Sequence, residues 1–85
     1  MWIRIQNEQM IINSDQLIDI FVDRSGTKII AELTEHEGHL FTIAEYKDRD
    51  TCLKVLEAFF ENTPYFNYVT LPLGGDVDEW IEALK

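Results

Sequence analysis

The spacing of the apolar residues changes midway along the chain, and this change constrains the fold more than any other feature. In the first half, apolar side chains recur at every second position, as in Ile29, Ala31 and Leu33. That is the spacing at which the side chains of a strand line one face of a sheet. In the second half they recur every three or four residues, which is helical spacing. The sequence therefore predicts strands within residues 2–46 and a helix over 48–62.

Tight turns separate the strand-like runs of the first half. Gly26 and Gly38 each lie in a polar segment between two such runs, and glycine supplies the positive φ that many hairpin turns need. Consecutive short strands joined in this way pair as antiparallel neighbours. We therefore expect an antiparallel meander sheet of four to five short strands, with residues 65–71 as the candidate for the fifth.

Local signals mark the ends of two helices. Asp48 is a candidate N-cap of the first helix, which should end before Pro64, because proline disfavours helical geometry in the preceding residue. Asp76 and Glu79 have the spacing of a capping box, which predicts a short C-terminal helix over 76–85. The first helix is expected to cover the sheet with one row of apolar residues: Cys52, Leu53, Val55, Leu56, Phe59 and Phe60.

Length and composition favour one small domain. The chain has 85 residues, of which 46% are hydrophobic, so we expect a single α+β domain over residues 1–85. The single cysteine, Cys52, excludes an intramolecular disulfide, and the first five residues do not resemble a signal peptide. The apolar runs are far shorter than the ~20 residues that cross a bilayer. We therefore expect a cytoplasmic protein that is not inserted in a membrane.

The charge of the chain constrains its partners. Sixteen acidic residues and seven basic ones give a formal charge of −9. Such a surface repels phosphate, which disfavours direct binding of nucleic acid and of anionic membranes. It favours a basic protein, including one that normally grips nucleic acid, because carboxylates can occupy the places of phosphates. Alternatively, the acidity only keeps a small protein soluble.

Few residue patterns favour catalysis. Both histidines lie within residues 35–39, beside two glutamates, but a structural zinc site needs four converging ligands, so an exposed hairpin loop explains this segment better. Cys52 lies in the predicted buried row, where a thiol is expected to be inert. The acids near the predicted helix starts are explained by capping. We expect a protein that is not an enzyme, with no catalytic residue, no metal site and no cofactor.

The remaining candidates for function are acidic and aromatic side chains. Aromatic rings and carboxylates around a groove suit an interface whose partner offers arginines. Alternatively, most of the rings belong to the core. The predicted partner-binding residues are Asp76, Asp78, Glu79, Glu82, Tyr65, Tyr68, Glu35 and Glu37.

Several short segments together point to a family. They are residues 2–7 (WIRIQN), 43–46 (IAEY) and 52–56 (CLKVL), and the aromatic stretch before Pro72. This order resembles small proteins of Gram-positive bacteria and of their phages and mobile elements. Those proteins begin with an IRSQD-like strand and continue with a GxY strand, a capped ALEVL helix and an aromatic stretch that ends in proline.

The resemblance covers residues 2–72 and departs from the pattern at Ile5, Asn7 and residues 44–45. It implies an accessory-genome origin and a stoichiometric inhibitor, by analogy with small acidic anti-CRISPR proteins. Our leading hypothesis is a non-catalytic module that binds a basic bacterial protein, one that handles nucleic acid or serves in defence. Two alternatives remain open, a homo-oligomeric structural or assembly protein and a protein that sequesters a small ligand.

Overall fold

Strands, α-helices and short 3-10 helices make up the computed structural model, which describes residues 1–7, 10–34, 38–62 and 67–84. The fold class is α+β, as the sequence predicts. Two short 3-10 turns, Ser14–Gln16 and Gly74–Asp76, separate some of the larger elements. Within the described residues these elements are β1 (Trp2–Arg4), β2 (Ile11–Asn13), β3 (Leu17–Val22), β4 (Lys28–Leu33), β5 (Leu40–Glu45), α1 (Arg49–Asn62), β6 (Tyr68–Thr70) and α2 (Val77–Leu84).

The strands form two sheets, so the prediction of one meander with four to five strands is wrong in this respect. β3, β4 and β5 form an antiparallel meander, whereas β1 lies between β2 and β6 in a second sheet. In that sheet β1 pairs antiparallel with β2 and parallel with β6. The long connection between β1 and β6, which includes α1, permits this parallel pair, since parallel strands cannot be joined by a tight turn.

A 3-10 turn separates the two sheets along the chain. Ser14–Gln16 follows β2 directly, and the side chain of Asn13 accepts a hydrogen bond from the backbone N–H of Asp15 at 3.0 Å. This turn redirects the chain between β2 and β3, so these two strands belong to different sheets. The apolar residues on each side of the turn are typical of strands, so they carry no signal for such a change of sheet.

The turn between β3 and β4 forms as its glycine predicts. Gly26 has a φ of 81°, and its backbone N–H donates to Oδ1 of Asp23 at 3.1 Å. The same carboxylate accepts a hydrogen bond from the hydroxyl of Ser25 and one from the backbone N–H of Lys28. A Cβ added to Gly26 would lie 3.1 Å from Cβ of Arg49, so the turn also packs closely against the start of α1.

Asp48 caps α1, as the sequence predicts. Its Oδ1 accepts hydrogen bonds from the backbone N–H of Thr51 at 2.8 Å and from the hydroxyl of Thr51 at 2.7 Å. The hydroxyl bond and then the backbone bond hold the pKa of the Asp48 carboxyl below its ordinary value. The carboxylate therefore satisfies one of the amides that the first turn of a helix leaves without an intrahelical partner.

The apolar residues of α1 form two rows, and only one of them is buried, which corrects the prediction of a single buried row. The buried residues are Cys52, Val55, Ala58 and Phe59. Leu53 and Phe60 are 45% and 53% exposed, and Leu56 is half-buried; we call these three residues the outer row. The two rows lie about 100° apart around the helix, so a helix that rests on one layer can bury only one of them fully.

Buried residues from both sheets and both helices form one continuous core. Its least exposed large side chains are Ile3, Ile29, Ile43, Val55 and Cys52. Val77, Trp80 and Ile81 bring α2 to this core. In the described ranges, no helix is long and apolar enough to cross a membrane.

The cap of α1 gives the first prediction. Asp48→Ala should lower the melting temperature by a few degrees at neutral pH, because two hydrogen bonds to the carboxylate are lost. The pKa of Asp48 is lowered in the folded chain, so its contribution is present above the ordinary pKa near ~4 and is lost as the pH falls through the folded pKa. The difference between wild type and variant should therefore shrink in acid. Circular dichroism melts across this pH range measure it.

Asp50→Ala is the matched control, since Asp50 lies in the same first turn. It should have the smaller effect at neutral pH. A difference between wild type and Asp48→Ala that stays constant from neutral to strongly acidic pH would contradict this assignment of the cap.

Candidate protein-binding site

An open groove of about 670 Å³ runs between the end of β6 and α2. Its floor includes the buried residues Leu71 and Pro72, and its rim carries carboxylate, amide and indole groups. We call it the α2 groove. The residues that line it are Gln6, Asn7, Thr70, Leu71, Pro72, Leu73, Asp76, Glu79 and Trp80.

Two side chains hold the floor of the α2 groove at the carbonyl of Pro72. The buried hydroxyl of Tyr46 donates to this oxygen at 2.7 Å, and Nε2 of Gln6 donates to it at 3.0 Å. Gln6 also binds the backbone of Glu45 twice, since Oε1 accepts from the N–H at 2.8 Å and Nε2 donates to the carbonyl at 3.0 Å. The side chain of Gln6 therefore connects β5 to the segment that leads into α2.

The wall of the groove is set by a hydrogen bond between α2 and β6. Nε1 of Trp80 donates to the carbonyl of Thr70 at 2.9 Å, and Trp80 is partly buried against the core. At the other end of the groove, the backbone N–H of Asp76 donates to the carbonyl of Leu73 at 3.0 Å and closes the 3-10 turn. Because the indole of Trp80 is already fixed, it loses little conformational entropy when a ligand binds to it.

Two of the predicted acids lie on the rim of this groove. Asp76 and Glu79 are both exposed, and neither forms an ion pair with another residue in the described part of the chain. Asp78 points away from them, because its Oδ1 lies 3.2 Å from Nζ of Lys54 on α1. Glu82 is exposed on α2 but does not line the groove.

The other predicted residues are not brought to this groove. Tyr68 is 47% exposed on β6, where its hydroxyl accepts from Nε of Arg4 at 2.7 Å and from Oγ1 of Thr70 at 3.1 Å. Tyr65, Glu35 and Glu37 lie outside the described residues. The structure therefore places Asp76 and Glu79 together on the α2 groove. The other predicted residues that it describes, Asp78, Glu82 and Tyr68, do not line this groove.

The sequence gives no sign of the bond from Gln6 to Pro72 that helps to fix the floor. Gln6 and Pro72 are 66 positions apart, and no periodic pattern relates them. Trp80 follows Asp76 by four positions, but Asp76 lies in the 3-10 turn before α2, so helical spacing does not relate the indole to this carboxylate. Only tertiary packing shows that the indole faces Thr70.

Two reactive side chains, Cys52 and Tyr46, are buried in the core. Burial raises the pKa of the Cys52 thiol, so the sulfur is protonated at neutral pH and is a poor nucleophile. Burial also raises the pKa of Tyr46, which keeps its hydroxyl as the donor to Pro72. Among residues 1–7, 10–34, 38–62 and 67–84, no three histidine, cysteine or acidic side chains come together as a metal site.

The chain matches no protein-family model, no curated protein and no solved structure. The chemistry of the α2 groove therefore has to be interpreted from its own residues. Carboxylates beside an indole form a good receptor for a guanidinium group, which can bond to the acids and stack on the ring.

The link at Pro72 gives the second prediction. Tyr46→Phe should lower the free energy of unfolding by about 1 kcal/mol, because one buried hydrogen bond is lost. Gln6→Leu removes three hydrogen bonds and should lower it by about 2 kcal/mol. Chemical denaturation followed by tryptophan fluorescence measures both values.

Glu45→Gln is the control, since Gln6 contacts only the backbone of Glu45. The side chain of Glu45 lies 3.9 Å from Lys28 at the surface, and this substitution should change the free energy of unfolding by less than about 0.5 kcal/mol. If Gln6→Leu were no more harmful than Glu45→Gln, the Gln6 side chain would not connect β5 to the groove.

Proposed function

We propose that the chain is a non-catalytic protein-binding module whose α2 groove docks on arginine residues of a basic partner protein. The observation that carries this proposal is the position of Asp76 and Glu79 beside Trp80 on one groove. Hydrogen bonds between carboxylates and guanidinium groups are among the stronger ones in proteins, and tryptophan is the best aromatic acceptor of a cation. Arginine and tryptophan are also the residues that most often dominate the energy of protein interfaces.

The overall charge supports a basic partner. A formal charge of −9 accelerates the approach of a cationic protein and slows the approach of an anionic one. The exposed acids outside the groove, such as Asp78 and Glu82, contribute to this long-range attraction without contacting the partner. The groove then supplies the short-range contacts that distinguish one basic protein from another.

The biological role that fits these properties is inhibition. Proteins that bind nucleic acid carry arginines where phosphates bind, and a small acidic chain that occupies them blocks that function. The expected resemblance of residues 2–72 to proteins of Gram-positive bacteria and their phages and mobile elements supports a target in a bacterial cell. We therefore propose an inhibitor of a bacterial protein that handles nucleic acid or serves in defence, acting in the cytoplasm.

A second candidate function rests on a different surface. Trp2 is 52% exposed and lies beside Tyr68 in register on the sheet formed by β1, β2 and β6. Ile11, on the same face of the neighbouring strand, is also exposed. These side chains would be covered in a homo-oligomer built on that face. Light scattering across a range of concentrations decides between this candidate and a monomer that binds another protein.

The third prediction tests the α2 groove with two double variants of equal charge. Asp76→Asn/Glu79→Gln neutralises the rim, and Asp78→Asn/Glu82→Gln neutralises two acids of α2 outside the groove. We expect the rim variant to bind the partner at least tenfold more weakly, since tenfold is about 1.4 kcal/mol and one hydrogen bond to a charged group contributes about that much. The control should bind within about threefold of wild type, because only the long-range attraction is reduced.

The measurement is quantitative capture from a lysate of a Gram-positive bacterium, followed by titration of the purified captured protein. A basic protein that is retained by wild type and by the control, and lost by the rim variant, supports the proposal. Equal loss with both variants would mean that charge alone drives binding. Equal retention by all three proteins would exclude the α2 groove as the binding site.

A further inference from the structure

The outer row of α1 is a second candidate binding surface, distinct from the α2 groove. Leu53, Leu56 and Phe60 follow one another at intervals of three and four residues, which is the spacing of a seam between packed helices. Leu53 and Phe60 are about half exposed, and the ring of Phe60 lies edge-on to that of Phe59, with centroids 5.8 Å apart. This contact with a buried ring limits the conformations of Phe60, so less conformational entropy is lost when a partner binds to it.

Two acids border the outer row. Glu57 and Glu61 are exposed, one turn apart, and line the same surface depression of about 430 Å³ as the outer row. Neither forms an ion pair within the described ranges, whereas Lys54, on the same helix, is paired with Asp78. The surface is thus an apolar row with a row of free carboxylates along one side.

We propose that this surface binds one amphipathic, cationic α-helix of a partner protein. Its apolar residues pack between Leu53 and Phe60, and its lysines or arginines face Glu57 and Glu61. α1 has 14 residues, a length of roughly 21 Å, so the bound helix needs about four turns. This inference does not rest on the α2 groove, because the two surfaces share no residue.

Charge distinguishes this occupant from the others that an apolar face could take. A second copy that packs through the same face brings the same two glutamates, and its formal charge of −9 opposes the association. A membrane with anionic lipids repels the same carboxylates. An amphipathic helix that carries a row of basic residues can pack on the outer row and form ion pairs with Glu57 and Glu61.

The test uses a designed peptide as the probe. A fluorescein-labelled helical peptide of about 16 residues carries leucines at the seam positions and lysines beside them. A scrambled peptide of the same composition has the same charge but no apolar face, and a second control has glutamates in place of the lysines. Fluorescence anisotropy at low and moderate salt, with the full chain as titrant, gives the dissociation constants. We expect the amphipathic cationic peptide to bind at least tenfold more tightly than either control.

Variants of the chain then locate the site. Leu53→Ala/Phe60→Ala should weaken binding of the peptide at least tenfold and leave the melting temperature near that of wild type, since both side chains are half exposed. Glu57→Gln/Glu61→Gln should weaken binding severalfold and flatten its salt dependence. Asp15→Asn/Asp19→Asn is the control for charge, since both acids are exposed and line neither the α2 groove nor the depression at the outer row. It should bind the peptide more tightly than Glu57→Gln/Glu61→Gln at moderate salt.

Each outcome decides the proposal. Tight binding of the amphipathic peptide that is lost in Leu53→Ala/Phe60→Ala, and that is weaker in Glu57→Gln/Glu61→Gln than in Asp15→Asn/Asp19→Asn, supports it. Equal binding of the scrambled peptide, or an unchanged dissociation constant in Leu53→Ala/Phe60→Ala, overturns it. A dimer of the free chain that disappears in Leu53→Ala/Phe60→Ala would assign the outer row to a second copy and also overturns it. None of these results depends on whether the α2 groove binds a basic protein.

Discussion

The carbonyl oxygen of Pro72 is the point on which the arrangement of the site depends. It accepts hydrogen bonds from the hydroxyl of Tyr46 and from the amide of Gln6, and the same amide side chain closes on the backbone of Glu45. Gln6 follows β1 of one sheet and Tyr46 follows β5 of the other, so these two side chains join both sheets to the segment that leads into α2. Because burial raises the pKa of Tyr46, this donor keeps its proton over the physiological range. The position of the α2 groove follows from these bonds.

Charge and shape have separate roles on this surface. A formal charge of −9 attracts basic proteins of many kinds over distances comparable to the Debye length, so it selects a class of partner and not an individual. Selection within the class requires contacts at short range. The α2 groove offers carboxylates beside the indole of Trp80, which suit single arginines, whereas the outer row offers apolar side chains beside Glu57 and Glu61, which suit a helix. A partner that uses both would be held at two points on adjacent helices.

Local features of the fold were predictable from the sequence, and long-range ones were not. The cap at Asp48 and the turn at Gly26 depend on neighbouring residues, so spacing and residue type were enough. The pairing of β1 with β6 joins residues that are far apart in the chain, and no periodicity encodes it. The two rows of α1 have the same spacing and similar hydrophobicity, so the sequence could not show which one faces the sheets. Asp76 and the acids of α2 were predictable as a set, but the packing of α2 against the core, with the bond from Trp80 to Thr70, determines which of them border the groove.

Hydrogen–deuterium exchange of the chain, free and in complex with a captured basic partner, tests the central claim most directly, because it finds the contact surface without any substitution. Docking at the α2 groove should slow exchange in the complex for the amides of residues 70–80, which include the 3-10 turn and the first turn of α2. Protection that is confined to β1 and β2, with unchanged exchange over residues 70–80, would contradict it and would move the binding surface to the exposed face that carries Trp2.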